Sequence, residues 1–135
     1  MSETSHNYLS KIFTFAAVVE IGTGLVLMID PAIVIKLLLG IEGSNVGTIL
    51  GRFFGVALLS LGVACWPGRP EPTSGLQSFW AMLAYNALVA LYLAYLGTVG
   101  HLGGSLLWPA VVLHAILALS LAWASHNGRR TQAIR

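Results

Sequence analysis

The sequence predicts an all-α membrane protein, a bundle of four transmembrane helices with a short interfacial helix between the first two. Three observations predict it. The chain is 56% hydrophobic and only 9% charged, with a mean hydropathy of +0.80, too little polar surface to coat a water-soluble globule. Its apolar residues fall into four runs of spanning length, separated by proline-, glycine- or charge-bearing interruptions. The 135 residues leave room for one domain, residues 1–135, and no large soluble part.

The first run covers about residues 8–29 and stops at Asp30-Pro31, because proline disfavours helical geometry in the residue before it. The start, MSETSHNYLSKIF, lacks a basic n-region and a small-residue cleavage site, so this run is expected to stay as a span. PAIVIKLLLGIEGSN follows, its apolar part too short to cross; Pro31 suits a first helical turn and Gly40 or Gly43 a stop. It is expected to lie in the interface as a helix over about 31–40, with Lys36 snorkelling. The second span runs over about 46–66 and is closed by PGRPEPTSG, a polar turn with three prolines. The third is placed at about 76–96. GTVGHLGG reads as a flexible loop, and the fourth span covers about 105–124 before the polar tail SHNGRRTQAIR.

Orientation follows from the basic residues. Lys11, Arg69, Arg129, Arg130 and Arg135 share the side of both termini, and Lys36 alone lies opposite. The positive-inside rule therefore puts both termini in the cytoplasm. Trp66, Trp80, Trp108 and Trp123 fall near predicted helix ends, as an aromatic belt requires. The net charge of +2 is set by this topology, and nucleic-acid binding is not expected.

Each span carries one strongly polar residue in or near its central part: Glu20, Arg52, Asn86 and His114. At 1.5 Å rise per residue, Arg52 lies roughly 9 Å below Val46, within reach of the headgroups by snorkelling. Ionisable groups at such depth usually face a bundle interior and pair there. The expectation is an interior polar cluster in which Glu20 pairs with Arg52, while Asn86 and His114 add hydrogen bonds and Tyr85 or Tyr92 lies nearby. Gly47, Gly51 and Gly55 form a doubled small-xxx-small pattern for close helix packing, with Gly22 and Gly24 as a counter-surface on the first span. Such a cluster can pin the helices in register, bind the polar head of a quinone or lipid, relay protons, or contact another subunit.

Signatures of other chemistry are absent. There is no Walker loop, dinucleotide glycine fingerprint or HExxH. Cys65, the single cysteine, excludes an internal disulfide and a thiolate metal cluster, and reads as a small interfacial hydrophobe. His114 alone can ligate a haem or chlorophyll metal. His6, His101 and His126 lie outside the predicted spans, so a bis-histidine haem is not expected. No metal and no cofactor are expected, and whether the chain is an enzyme stays open at this point, with the non-enzyme reading preferred. Ser60, Ser105 and Ser120 are expected to bond backwards within their helices.

An acidic residue followed by glycine (Glu20, Gly24), a proline-started interfacial segment (Pro31 to Gly40) and an arginine-glycine helix RFFGVALLSLG (Arg52, Gly55, Gly62) resemble the DoxX-like group of small bacterial four-helix membrane proteins. The resemblance covers the first half of the chain. It implies a four-helix bundle in a bacterial inner membrane and, since some members of the group are linked to quinone-coupled sulfur oxidation or serve as accessory subunits of larger membrane complexes, a quinone or partner role. Two functions follow as expectations. The first is a subunit docking on a larger membrane-protein complex or forming a homo-oligomer, with Trp80, Tyr85, Tyr92 and Tyr95 as a docking face. The alternative is a binder of a lipophilic small molecule, a quinone or a membrane lipid, or a quinone-linked membrane enzyme.

Overall fold

The computed structural model describes residues 3–66 and 74–133, and side chains within 10–66 and 76–126. Among the described residues there are five helices, α1 (Glu3–Ile29), α2 (Pro31–Leu39), α3 (Asn45–Ala64), α4 (Ser74–Thr98) and α5 (Leu107–Ala133), and no strand. Four of the described segments are long and apolar enough to cross a membrane: Ser10–Ile29, Asn45–Ala64, Leu76–Thr98 and Leu107–His126. The chain is a four-span helical membrane protein with a short helix between its first two spans. His126 is the exposed last residue of the fourth span rather than lying beyond it, because α5 continues past Ala124 without a break.

Local chemistry sets the helix ends. Asp30 leaves helical geometry at φ −140° and ψ 80° ahead of Pro31, and its Oδ1 accepts from the Ile33 amide at 3.3 Å, capping α2. Gly40, at φ +72°, ends α2 in the left-handed region and donates its amide to the Lys36 carbonyl at 2.9 Å. Ser44 caps α3, its Oγ accepting from the Gly47 amide at 3.0 Å. Pro109 sits in the first turn of α5, where an amide has no helical partner to lose.

Lys36 does not snorkel unaccompanied. Its Nζ donates to Glu42 Oε1 at 2.6 Å in an exposed ion pair just past α2, and this pair raises the Lys36 pKa above the ordinary lysine value. The GTVGHLGG segment is also tied down. Amides of Gly103, Gly104 and Leu106 donate to the carbonyls of Leu39, Leu38 and Leu37 at 3.2, 3.1 and 2.8 Å. These are the carbonyls that the last turn of a helix leaves unpaired, and the loop satisfies them. Gly104 lies so close to the Leu37 carbonyl that a side chain has no room there.

The bundle is built from two helix pairs. α1 packs most extensively on α3 and α4 on α5, and α1 joins the pairs by also meeting α5. α2 lies against α1, α3 and α5. The α1–α3 contact is backbone on backbone. A β-carbon on Gly55 would stand 2.7 Å from the Gly24 carbonyl oxygen, and one on Gly62 would stand 2.9 Å from that of Ala17. A β-carbon on Gly51 would meet Pro31 and Leu27, whereas one on Gly47 would meet only the side chains of Ser44 and Ile35, at 3.2 and 3.5 Å. Small residues allow this approach, which gains dispersion and not water release, since lipid tails are as apolar as the helices. Toward the end of the bundle that carries the chain termini, Ala16, Cys65, Met82, Leu117 and Leu121 form the core, with Phe13 and Phe79 packed beside it, their rings tilted by 39° at 6.1 Å between centres.

Candidate functional site

Four of the polar residues singled out in the sequence converge inside the bundle. The helical repeat brings them there. On α1, Ala16 and Glu20 occupy one inward face; on α4, Met82, Asn86 and Ala90 repeat every four residues; on α5, Leu107, His114 and Leu121 repeat every seven, all buried. Glu20, Asn86 and His114 are thus enclosed among apolar neighbours, Glu20 only 1% exposed.

Within this cluster the bonds can be followed atom by atom. Asn86 Nδ2 donates to the Met82 carbonyl one turn back, at 2.8 Å. This leaves Asn86 Oδ1 toward α5, where it lies 2.8 Å from His114 Nδ1. A carbonyl oxygen only accepts, so we assign the ring proton to Nδ1, with Nε2 the acceptor nitrogen of the neutral imidazole. The Tyr85 ring stands edge-on to the His114 ring at 5.8 Å and 80°. The Tyr85 hydroxyl faces the Glu20 carboxyl as its polar neighbour. The Asn86–His114 bond ties α4 to α5, while Tyr85 and Glu20 set polar groups of α4 and α1 side by side. One atom is left over: Glu20 Oε1 is buried with no hydrogen-bond partner.

Arg52 is not part of this cluster, and the expected Glu20–Arg52 ion pair is not formed. The reason is rotational. α3 turns Gly51, Gly55, Leu58 and Gly62 toward its neighbours, and Arg52, one residue and about 100° round from Gly51, falls outside that face. α1 meets α3 through Ala17, Ile21, Gly24, Leu27 and Met28, while Glu20 occupies a different face of α1, the one that looks to α4. Arg52 is exposed on the outer surface, in an open groove of about 300 Å³ lined by Met28, Ile49, Arg52, Phe53 and Val56.

Other candidates fall into place by the same geometry. Tyr92 and Tyr95 lie on the outer face of α4, 62% and 54% exposed, with Trp80, Leu88 and Leu91; Tyr85 turns inward and leaves that face. Cys65 is buried in the core, its Sγ 3.7 Å from the Ser78 carbonyl. Ser60 bonds back to the Val56 carbonyl at 2.9 Å. Among the described residues no group of three histidine, cysteine or acidic side chains comes together.

No protein-family model, curated protein or solved structure matches this chain. Sequence reasoning missed the groove beside Arg52, whose walls come from α1 and α3. It also missed the bonds from the 103–106 loop to α2, for which glycine spacing was the only signal.

Proposed function

We propose that this protein is an accessory or structural subunit of a larger membrane assembly, joined through the outward face of α4. It sits in a bacterial inner membrane with both termini cytoplasmic, and the DoxX-like kinship that we propose with it agrees with a subunit role. The observation that carries the reading is how the interior polar groups are used. His114, Asn86 and the Met82 carbonyl bond to one another, and Tyr85 is turned to Glu20. The cluster therefore serves as a lock between helices, each such bond contributing roughly 1 kcal/mol. What is offered outward is a stripe of large side chains on α4, Trp80, Leu88, Leu91, Tyr92 and Tyr95, whose phenols have apolar rings to pack and hydroxyls to bond across an interface. Native mass spectrometry of the protein extracted in mild detergent from its own membrane tests this. A partner, or a second copy, in fixed ratio is expected, with photo-crosslinks from Leu91 but not from Leu119 on α5. A lone bundle without crosslinks at either position refutes it.

A second reading has one specific observation in its favour. The unpartnered Glu20 Oε1 is an acceptor placed to receive a hydrogen bond from the head of a quinol or another hydroxyl-bearing amphiphile entering between helices. Extraction of a stoichiometric quinone or lipid from the wild-type protein, and its loss from Glu20→Leu with the fold intact, supports this reading over the first.

A further inference from the structure

Arg52 presents a separate problem from the interior cluster. It lies within the span Asn45–Ala64, on the outer surface, and a guanidinium stays charged at every accessible pH. A charge facing hydrocarbon at that depth is costly without an anion. The chain supplies none among its described side chains. Glu20 is enclosed on the far side of α1, Asp30 caps α2, and Glu42 is bound to Lys36.

The walls around Arg52 are as informative as the charge. Met28 from α1 and Ile49, Phe53 and Val56 from α3 enclose the groove, and none carries a polar side-chain group beyond the thioether. The groove exists because Gly24 and Gly55 bring the two helices together backbone to backbone, leaving a valley at their outer edge. Its chemistry is that of a single cation above an apolar trough, at roughly 9 Å below Val46, where an extended arginine reaches the headgroup region.

We propose that this groove is a binding site for an anionic phospholipid, its phosphate on the Arg52 guanidinium and an acyl chain against Met28, Ile49, Phe53 and Val56. Guanidinium and phosphate match in charge and in forked donor geometry, and the trough takes the chain that a free phosphate lacks. The site is independent of the face proposed for subunit docking and does not rest on that reading.

The test uses the full-length protein in detergent, titrated with equal amounts of phosphatidylglycerol and phosphatidylcholine of the same chain length, and read by native mass spectrometry. A single phosphatidylglycerol adduct is expected at about fivefold preference, unaffected by inorganic phosphate. Arg52→Gln abolishes the preference, Arg52→Lys keeps part of it, and Phe53→Ala weakens both lipids while leaving the preference. Circular dichroism confirms that each variant is folded, and if Arg52→Gln is not, the lysine and Phe53 variants decide. Equal binding of the two lipids by the wild type, a preference that survives in folded Arg52→Gln, or displacement by inorganic phosphate overturns the proposal. So does a co-purifying protein whose acidic side chain crosslinks at position 52.

Discussion

Replacing Gly55 by alanine should loosen the bundle at its tightest point. The new methyl would stand 2.7 Å from the Gly24 carbonyl oxygen, 3.0 Å from Leu27 Cβ and 3.1 Å from Met28 Cγ. Ordinary carbon–oxygen contacts begin near 3.3 Å, so α1 and α3 must part locally by about 0.5 Å. The obstruction is backbone, which cannot swing aside as a side chain can. A gap of that size forfeits about a quarter of the dispersion well for each contact it opens, across the most extensive helix pair in the fold. Overpacking of this kind costs roughly 1–3 kcal/mol, and the helix propensity gained over glycine returns about 0.5–1 kcal/mol. A net loss of about 1–2 kcal/mol is expected. Gly24→Ala should behave alike, meeting the Gly55 oxygen at 2.8 Å, and the double variant should be non-additive because each methyl strikes the other's backbone. Gly22, two residues away on α1, supplies the control: a β-carbon there meets nothing within 4 Å, so Gly22→Ala should be neutral or stabilising. Reversible unfolding in mixed micelles with increasing dodecyl sulfate, followed by circular dichroism, measures all four. Stability of Gly24→Ala and Gly55→Ala equal to that of Gly22→Ala refutes the packing account.

A double-mutant cycle on Asn86→Ala and His114→Ala in the same assay should return a coupling of about 0.6–1.7 kcal/mol, and zero coupling removes the hydrogen bond from the helix lock. Arg52→Gln should change unfolding by no more than about 0.5 kcal/mol, since its side chain points away from the bundle; a loss of several kcal/mol would restore the ion pair with Glu20. Gly40→Ala should destabilise, because φ +72° is unfavourable for alanine and its methyl would lie 2.7 Å from the Gly103 carbonyl oxygen; about 1–2 kcal/mol is expected from the dihedral alone, and an unaltered unfolding midpoint refutes it. The Lys36–Glu42 pair raises the lysine pKa, so its contribution is fully present below the ordinary lysine value and is lost as pH rises through the raised one. Glu42→Gln should therefore flatten the alkaline limb of a stability–pH profile, and an identical alkaline limb counts against the pair.

The four spans and the ends of α2 were legible because they are local. A span is a property of about 20 consecutive residues, and Asp30, Pro31 and Gly40 act on backbone groups within four positions of themselves; the Ser44 cap of α3, equally local, was not singled out. The inward placement of Glu20, Asn86 and His114 was legible too, for the cost of a polar group in lipid needs no knowledge of neighbours. The rotation of each helix about its own axis was not. A span that is apolar all round carries no stripe to say which side faces in, so the chain's one-dimensional order leaves the direction of Arg52 open. That direction was decided by Gly24, Gly55 and Gly62 meeting backbone to backbone, which put Arg52 outside and left Tyr85 as the neighbour of Glu20. The same holds for the loop at 103–106, whose amides find the carbonyls of α2 more than sixty positions earlier in the chain. Depth in the membrane follows from composition summed along the chain, whereas azimuth and partner exist only once the helices have packed.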